Sequence, residues 1–430
     1  MNYQERLLKA IPGGAHTYSR GFDQYPSNAP QILERGKGVN IFDPDGNKYL
    51  DYGMALRAVN LGYAEDEIDE AAIAQIKNGN NLTRPSMIEL EAAELLVDLI
   101  DSVDMVKFTK NGSTAVSAAV KLARAFTERE LVARCAEQPF FSYDDWFIGS
   151  TPLTRGIPQE TIEKTKMFHY NDIASLEALI AQHPGKFACV VLEPAATEKP
   201  KDGYLQQAQA LCRANGIVFI LDEMITGFRW HMKGAQHLYD VTPDLCTFGK
   251  AMANGYAVAC VAGKREIMEL GSIEFEGRER VFLLSTTHGA EMCGLGAFVA
   301  TVKFMRKHDV VEHLWEYGNK LITMMQRKSE EYGIGESFKV GGIACSPYYQ
   351  TMDSSGANSM GLRTLFSQEM IKNGVLMPWI ALSYHHGVEE LDKTEHALDA
   401  AFVVYRKALN EGVEKYLVGP AIKPVFRKYN

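Results

Sequence analysis

Cysteine is sparse in this sequence and unpaired in its spacing. Seven occur, at positions 135, 189, 212, 246, 260, 293 and 345, with no C-x-x-C pair among them. An odd, scattered set supports neither a disulfide framework nor a zinc site, and is expected to stay reduced in a cytoplasmic setting. Positive charge is also short. Lys and Arg total 45 against 54 Asp and Glu, a net charge of −9 with no basic block, so nucleic acid is not an expected partner. No apolar run approaches the roughly eighteen residues that span a bilayer. Met1 to Ala10 is polar and lacks a signal-peptide pattern. Neither feature points to a membrane. Internal repeats and low-complexity tracts are missing, and no G-x-x-x-x-G-K-[ST] occurs, which excludes a P-loop of the nucleotide-binding kind.

What is present is an ordinary globular composition, 46% apolar and 23% charged, in 430 residues. A chain this long is expected to divide into two or three compact units. Residues 1–60 read as an N-terminal arm and a small sheet. In them Gly38–Asp51 forms a hairpin whose turn is Asp45-Gly46. Helices are predicted over about 66–77 and 86–100. A large domain is expected over 61–308 and a C-terminal domain over 309–430, with helices near 309–332 and 392–413. Met105–Thr109 reads as a strand, followed by the polar turn Lys110-Asn111-Gly112-Ser113-Thr114 and a helix to about Thr127. The free N–H groups and dipole of that helix start, with the Ser113 and Thr114 hydroxyls, form a plausible phosphate cup. Ser113 serving only as a helix cap is the plainer alternative. Residues 128–170 are less regular and hold the aromatic cluster Phe140, Phe141, Tyr143, Trp146 and Phe147. One of these rings could stack on a flat cofactor, though most such clusters are core. From there strand and helix alternate through Ala188–Leu192, a helix over about 206–214, and further strands at 257–262 and 281–284. That alternation predicts a parallel sheet covered by helices on both faces.

The stretch Ile217–Gly255 organises the rest. Ile217–Leu221 is an apolar, β-branched run of the kind buried on both faces of a parallel sheet, and it ends in Asp222-Glu223. Twenty-eight residues after Asp222, the run Leu245–Phe248 ends in Gly249-Lys250. Open α/β sheets bind ligands outside the carboxyl ends of their strands, so an acid and a lysine could face one crevice. A lysine amine forms a Schiff base with an aldehyde, and burial lowers its pKa so that it can attack. A carboxylate facing a pyridine nitrogen keeps that nitrogen protonated. Pyridoxal phosphate (PLP) needs both groups and an anion cradle. Taken singly, Lys250 and Asp222 read as a surface lysine and a turn residue. Together, and with the cup at 112–114, that plain reading is hard to keep.

These motifs, in this order, resemble the class III aminotransferases of fold type I, and within them the glutamate-1-semialdehyde aminomutase group. The resemblance rests on Ile11-Pro12-Gly13-Gly14, the Asp43–Asp51 hairpin, Asn111-Gly112-Ser113-Thr114, Glu193-Pro194, Leu221-Asp222-Glu223 with Thr226-Gly227-Phe228-Arg229, and Phe248-Gly249-Lys250. It covers nearly the whole chain. It implies a large domain with a mostly parallel central sheet flanked by helices, plus a smaller α+β domain from both termini. It further implies that Lys250 joins the cofactor aldehyde and shuttles the proton, that Asp222 holds the pyridinium proton, and that Met224 packs on the ring. Gly112, Ser113 and Thr114 would hold the phosphate, Phe140 would stack, and Glu193 would lie near the cofactor. Thr286 would reach the phosphate of a neighbouring subunit, implying a homodimer with active sites at its interface. Arg20 matches the place where the aminomutase group grips a substrate carboxylate. Arg57 and Arg229 are further candidates, and a surface arginine is the plain alternative.

The sequence departs from the family pattern at Phe140-Phe141-Ser142, at Ala251–Gly255 and at His288–Glu291, all on the substrate side. Lys-Asn-Gly-Ser at 110–113 and Ser-Thr-Thr-His-Gly at 285–289 resemble transaminases of cell-surface (lipopolysaccharide) carbohydrate synthesis. That resemblance implies glutamate as donor and a sugar-derived acceptor such as the C8 aldehyde of 3,8-dideoxy-8-oxo-manno-octulosonate. The alternatives are an intramolecular aminomutase acting on glutamate-1-semialdehyde and a non-catalytic PLP-binding regulator. No metal site is expected.

Overall fold

The computed structural model describes residues 1–429. Its strands are β1 (Arg35–Lys37), β2 (Asn40–Phe42), β3 (Lys48–Asp51), β4 (Met105–Thr109), β5 (Leu131–Cys135), β6 (Thr165–Phe168), β7 (Phe187–Leu192), β8 (Val218–Asp222), β9 (Leu245–Phe248), β10 (Ala259–Gly263), β11 (Phe338–Ile343), β12 (Ser346–Thr351) and β13 (Val375–Leu376). The chain forms two compact units. One runs from Asp66 to Val311; the other joins Met1–Glu65 to the chain from Glu312 onward. No described helix is long and apolar enough to cross a membrane.

The larger unit is built on a seven-stranded sheet ordered β4-β10-β9-β8-β7-β5-β6. The pairs from β9 through β6 are all parallel, and only β10 runs against its neighbours β9 and β4. This is the mixed, mostly parallel α/β sheet expected of fold type I. Two reversals cancel, so β4 points the same way as β9, and the carboxyl ends of β4, β7, β8 and β9 open on one edge. Strands β7 and β8 are buried along their full length, which explains their unbroken apolar sequences. One layer of core joins Phe219 and Leu221 to Phe187, Val190, Leu192, Tyr204, Leu205 and Ala208, so the Tyr204–Ala214 helix packs directly on the strand that carries Asp222.

Three parts of this unit differ from expectation. Residues 281–284 form no strand. Only Leu283 of that run is buried, Phe282 is exposed, and Leu284 takes a left-handed φ of 41°. Both sides of β10, the strand that precedes this run, are already paired, with β9 and β4, so the run cannot extend the sheet from its nearest neighbour in sequence. Strand β5 lies where an irregular stretch is predicted. Its apolar run is interrupted by Arg134, which is buried: its Nε and Nη2 donate to the Ser150 hydroxyl and carbonyl, each at 2.8 Å, and its Nη1 donates to the Cys135 carbonyl at 2.9 Å. The helix Ile173–Gln182, capped by Asp172 accepting from the Ser175 N–H, falls just after the same stretch.

The smaller unit takes strands from both ends of the chain because β13 pairs in parallel with β3, Val375 opposite Leu50. The hairpin β2–β3 forms as predicted, Asn40 opposite Leu50. At its end Asp51 accepts from the N–H groups of Gly53 (2.7 Å) and Met54 (2.9 Å) and from the Tyr63 hydroxyl (2.6 Å), which itself accepts from the Ala55 N–H at 2.8 Å. This clamp holds Met54, Ala55, Leu56 and Arg57 in four consecutive left-handed conformations, each of which costs on the order of 1 kcal/mol for a residue with a side chain. The helix Met360–Lys372 has no counterpart in the predicted elements. Nine of its residues from Leu362 to Ile371 are buried, so no polar face gives it a periodic signal.

A buried aromatic network ties this unit together. The Tyr52 hydroxyl meets those of Tyr317 (2.7 Å) and Thr394 (2.8 Å). The His386 ring stacks on Tyr52 at 4.5 Å, and its Nδ1 accepts from the Ser383 N–H at 3.0 Å. Burial pushes the His386 imidazole down to about 3, with neighbouring His313 and His385 acting in the same direction. The folded protein therefore holds His386 neutral, while the unfolded chain binds a proton there below the ordinary value near 6.5. Its stabilisation is complete above that pH and is lost as pH falls toward the folded value. We predict that His386→Asn flattens the dependence of unfolding free energy on pH between 6.5 and 4 by about 1.4 kcal/mol per unit. Denaturant titrations at stepped pH measure this, and an unchanged slope would contradict it.

Candidate active site

The site grows from three neighbouring strand ends. Leu192 of β7 is level with Leu221 of β8, and Asp222 of β8 is level with Thr247 of β9. The next residues off the ends are therefore Glu193, Asp222 and, three positions after Thr247, Lys250. Asp222 is almost fully buried. Its Oδ1 accepts from the Met224 N–H at 2.9 Å and from the Thr247 hydroxyl at 3.1 Å. Burial pushes its carboxyl up to about 6. The Met224 N–H, the positive charge of Lys250 and the Thr247 hydroxyl oppose that rise. Lys250 and Asp222 thus lie close enough to act on each other electrostatically. Lys250 is partly buried and sits at φ +46°, in the left-handed region that a side-chain-bearing residue enters at a cost.

The anion cup joins the same place through Met224. The helix Gly112–Thr127 starts at the carboxyl end of β4. A methyl group on Gly112 would fall 2.8 Å from the Met224 sulfur, and one on Gly249 would fall 2.6 Å from it. The thioether, itself buried and packed with Ala115 and Ala259, thus fills the space left by two glycines. Asn111, rather than Ser113, caps the helix. Its Oδ1 accepts from the Thr114 N–H and the Thr114 hydroxyl, both at 2.9 Å. The Ser113 hydroxyl accepts from the Tyr143 N–H at 3.2 Å, and the Ser113 carbonyl accepts from the Ser142 hydroxyl. The N–H groups of Gly112 and Ser113 belong to the first turn, where the helix itself supplies no acceptor.

Other predicted residues are placed as follows. The Glu193 backbone exchanges two hydrogen bonds with the Gln138 side chain, each 2.8 Å. Phe140 is half exposed, its ring edge-on to Phe147 at 5.8 Å. Thr286 is exposed in the loop after residue 281, where its carbonyl accepts from the Gly289 N–H. Arg229 is fully buried and donates to the Ile225 carbonyl at 2.6 Å. Arg20 and Arg57 belong to the smaller unit. Arg20 is exposed there and acts electrostatically on Tyr25 and Tyr63. Arg57 closes the left-handed turn.

Two features escaped sequence reasoning. The first is Glu223, fully buried beside Asp222. Its carboxylate accepts from the Thr226 hydroxyl and from the N–H groups of Ala235 and Gln236, both at 2.9 Å. It therefore closes the whole 224–236 loop on the strand end. The adjacent pair Asp222-Glu223 was visible in sequence; which acid faced the loop was not. The second is an ion pair of 2.8 Å between Lys110 and Glu291, with Asn80 donating to the same carboxylate at 2.9 Å. It ties the turn before the cup to the 285–291 loop, whose last four residues depart from the family pattern.

The fit to PLP can be judged from these contacts. A phosphate suits the first turn of the Gly112–Thr127 helix, a flat ring suits the Met224 side chain that Gly112 and Gly249 admit between them, and a protonated ring nitrogen suits an acid whose Oδ1 alone is held by two donors.

Comparison with known proteins agrees. The model of the family described as aminotransferase class-III matches residues 23–377. A 3-aminobutyryl-CoA aminotransferase of Cloacimonas acidaminovorans is 32% identical over 424 residues, covering 97% of this chain and 98% of that protein. A glutamate-1-semialdehyde 2,1-aminomutase of Francisella philomiragia is 28% identical, covering 91% and 94%. Among solved structures, the PLP internal aldimine form of the Sphingopyxis sp. MTA144 FumI protein superposes with a TM-score of 0.86 at 27% identity, covering 95% and 97%.

Closure of the loop by Glu223 predicts a sensitive glycine. Gly234 sits at φ +81°, and a methyl group there would lie 2.7 Å from Glu223 Oε1. Gly234→Ala is expected to destabilise the protein by about 2–3 kcal/mol, read by urea unfolding. A loss under roughly 0.5 kcal/mol, the range of a neutral surface change, would show that the loop does not depend on this contact.

Proposed function

The chain belongs to the class-III aminotransferases, and from that premise we propose which residues of this PLP-dependent enzyme do what, and on which substrates. Bound PLP supplies an aldehyde that takes up an amino group and a protonated ring that stores the electrons released at the substrate carbon. Lys250 is the amine that binds the aldehyde and then carries the proton between substrate and cofactor carbons. Asp222 keeps the ring nitrogen protonated through Oδ2. Met224 supports the ring, Gly112, Ser113 and Thr114 hold the phosphate, and Phe140 and Glu193 border the cofactor. The observation that carries this reading is the register of β8 on β9, which sets Asp222 and Lys250 on adjacent strand ends beside the anion cup.

The proposed reaction moves an amino group from glutamate to a sugar-derived carbonyl, the C8 aldehyde of 3,8-dideoxy-8-oxo-manno-octulosonate being the chosen candidate. Support comes from the two stretches that carry that resemblance, 110–113 and 285–289; the Lys110–Glu291 ion pair joins the first to a residue two positions after the second. Arg20 is proposed to take a substrate carboxylate, for which its planar fork is suited. Thr286 is proposed to reach the phosphate in the second copy of a homodimer. The 32% identity to a 3-aminobutyryl-CoA aminotransferase favours a second reading, in which the donor is a β-amino acyl thioester and the β-keto thioester takes up the amine in the reverse direction.

The test loads the protein with the aminated cofactor and mixes it with a panel of aldehydes, keto sugars and β-keto thioesters, following return of the aldehyde-form absorbance. A sugar aldehyde is expected to restore it, and glutamate added afterwards is expected to be consumed with release of 2-oxoglutarate and return of the aminated cofactor. Conversion of glutamate-1-semialdehyde with no donor would instead establish the aminomutase. Failure of any amino acid to exchange with any carbonyl would point to the regulator. Lys250→Ala is expected to lose the visible absorbance of the lysine-bound cofactor and to lower kcat by at least about a thousandfold, in the range of removing a covalent catalytic group. Full turnover in that variant would end the assignment.

A further inference from the structure

We propose that Thr247 is a positioning residue for the reaction: its hydroxyl fixes Oδ1 of Asp222 so that Oδ2 presents a lone pair to the ring nitrogen. The inference rests on the reading of Asp222 given above. Three observations carry it. Thr247 and Asp222 are register partners across the parallel pair β8–β9, so the contact is set by the sheet. Both side chains are buried, so no water substitutes for a missing donor. Thr247 also binds the strand end a second time, its carbonyl accepting from the Glu223 N–H at 2.9 Å.

The geometry is asymmetric. Both donors to Asp222, the Thr247 hydroxyl and the Met224 N–H, reach Oδ1. A carboxylate held by one oxygen from two directions has its plane set, and its second oxygen is aimed. The Met224 N–H alone restrains Oδ1 along one direction and leaves a range of rotation about the Cβ–Cγ bond. Thr247 adds the second point. It also favours the charged form of the acid, because the hydroxyl must donate to be satisfied there. The charged groups around the acid are Lys250 from the end of β9 and Glu223 from its own strand end. The Glu223 carboxylate is turned to Thr226, Ala235 and Gln236. Lys250 follows Thr247 by three residues on the same strand end, so one segment both places the amine and orients the acid.

The experiment compares Thr247→Val, which keeps shape and loses the donor, with Thr247→Ser, which keeps the donor. In the cofactor-free protein, the carboxylic acid C=O band of Asp222 is titrated by difference infrared spectroscopy, with Asp222→Asn identifying it. Removing one hydrogen bond to a charged group is expected to shift that titration upward by about one to two pH units in the valine variant and by little in the serine variant. In the loaded enzyme, the pH midpoint of the visible absorbance is expected to move in Thr247→Val, and kcat to fall about tenfold with a smaller change in donor KM. Thr247→Ser should restore both. If valine prevents folding, Thr247→Ala removes the hydroxyl without adding volume and is read in the same way. Unchanged titration in the donor-less variant, or equal damage from serine and valine, would overturn the proposal. Failure of the parent reading looks different: the wild type would then show no lysine-bound cofactor band at all, while the infrared titration would still report on the clamp.

Discussion

The structure depends on one pairing, that of β8 with β9. Neither strand carries much chemistry along its length; both are apolar and buried. Their register decides that Asp222 stands beside Thr247 and that Lys250 emerges from the adjacent end. A slip of one residue would turn every side chain of a strand to the other face of the sheet and separate the amine from the acid. The core behind β8, from Phe187 to Tyr204 and Leu205, holds that register by packing. The functional groups are polar, but their placement is an outcome of apolar burial.

Around this pair the site is built from groups that remove freedom from others. Met224 donates to Asp222 with its backbone and fills the space beside Gly112 and Gly249 with its side chain. It thereby couples the acid to the anion cup. Glu223 closes the loop that follows. Asn111 caps the helix that offers the cup and takes both Thr114 donors, which leaves Ser113 outside the cap. The same economy appears in the smaller unit, where Asp51 and Tyr63 hold four left-handed residues against their intrinsic preference.

Much of this was legible in the sequence. The largely apolar runs at 188–192, 217–221 and 245–248 announce buried parallel strands, and the residues closing them are the chemical groups. The Asp45-Gly46 turn and the polar step from Thr109 into the Gly112–Thr127 helix are local signals, read locally. What was not legible depends on partners distant in sequence. Strand β5 contains Arg134, whose burial makes sense only beside Ser150 and Phe147. The run at 281–284 has strand composition, but β10, the strand before it, is paired on both sides. The helix 360–372 is buried too completely to show a face. The role of Glu223 was hidden for the same reason, since two adjacent acids look alike until the loop that returns to one of them is seen.

The central claim is that Lys250 and Asp222 act on opposite ends of one ring. A crystal structure of the protein grown with PLP tests it most directly. The account predicts continuous electron density from Lys250 Nζ to the aldehyde carbon, Asp222 Oδ2 within hydrogen-bonding distance of the ring nitrogen, and the phosphate at the first turn of the Gly112–Thr127 helix. Cofactor bound with its ring nitrogen away from Asp222, or joined to any other lysine, would contradict it.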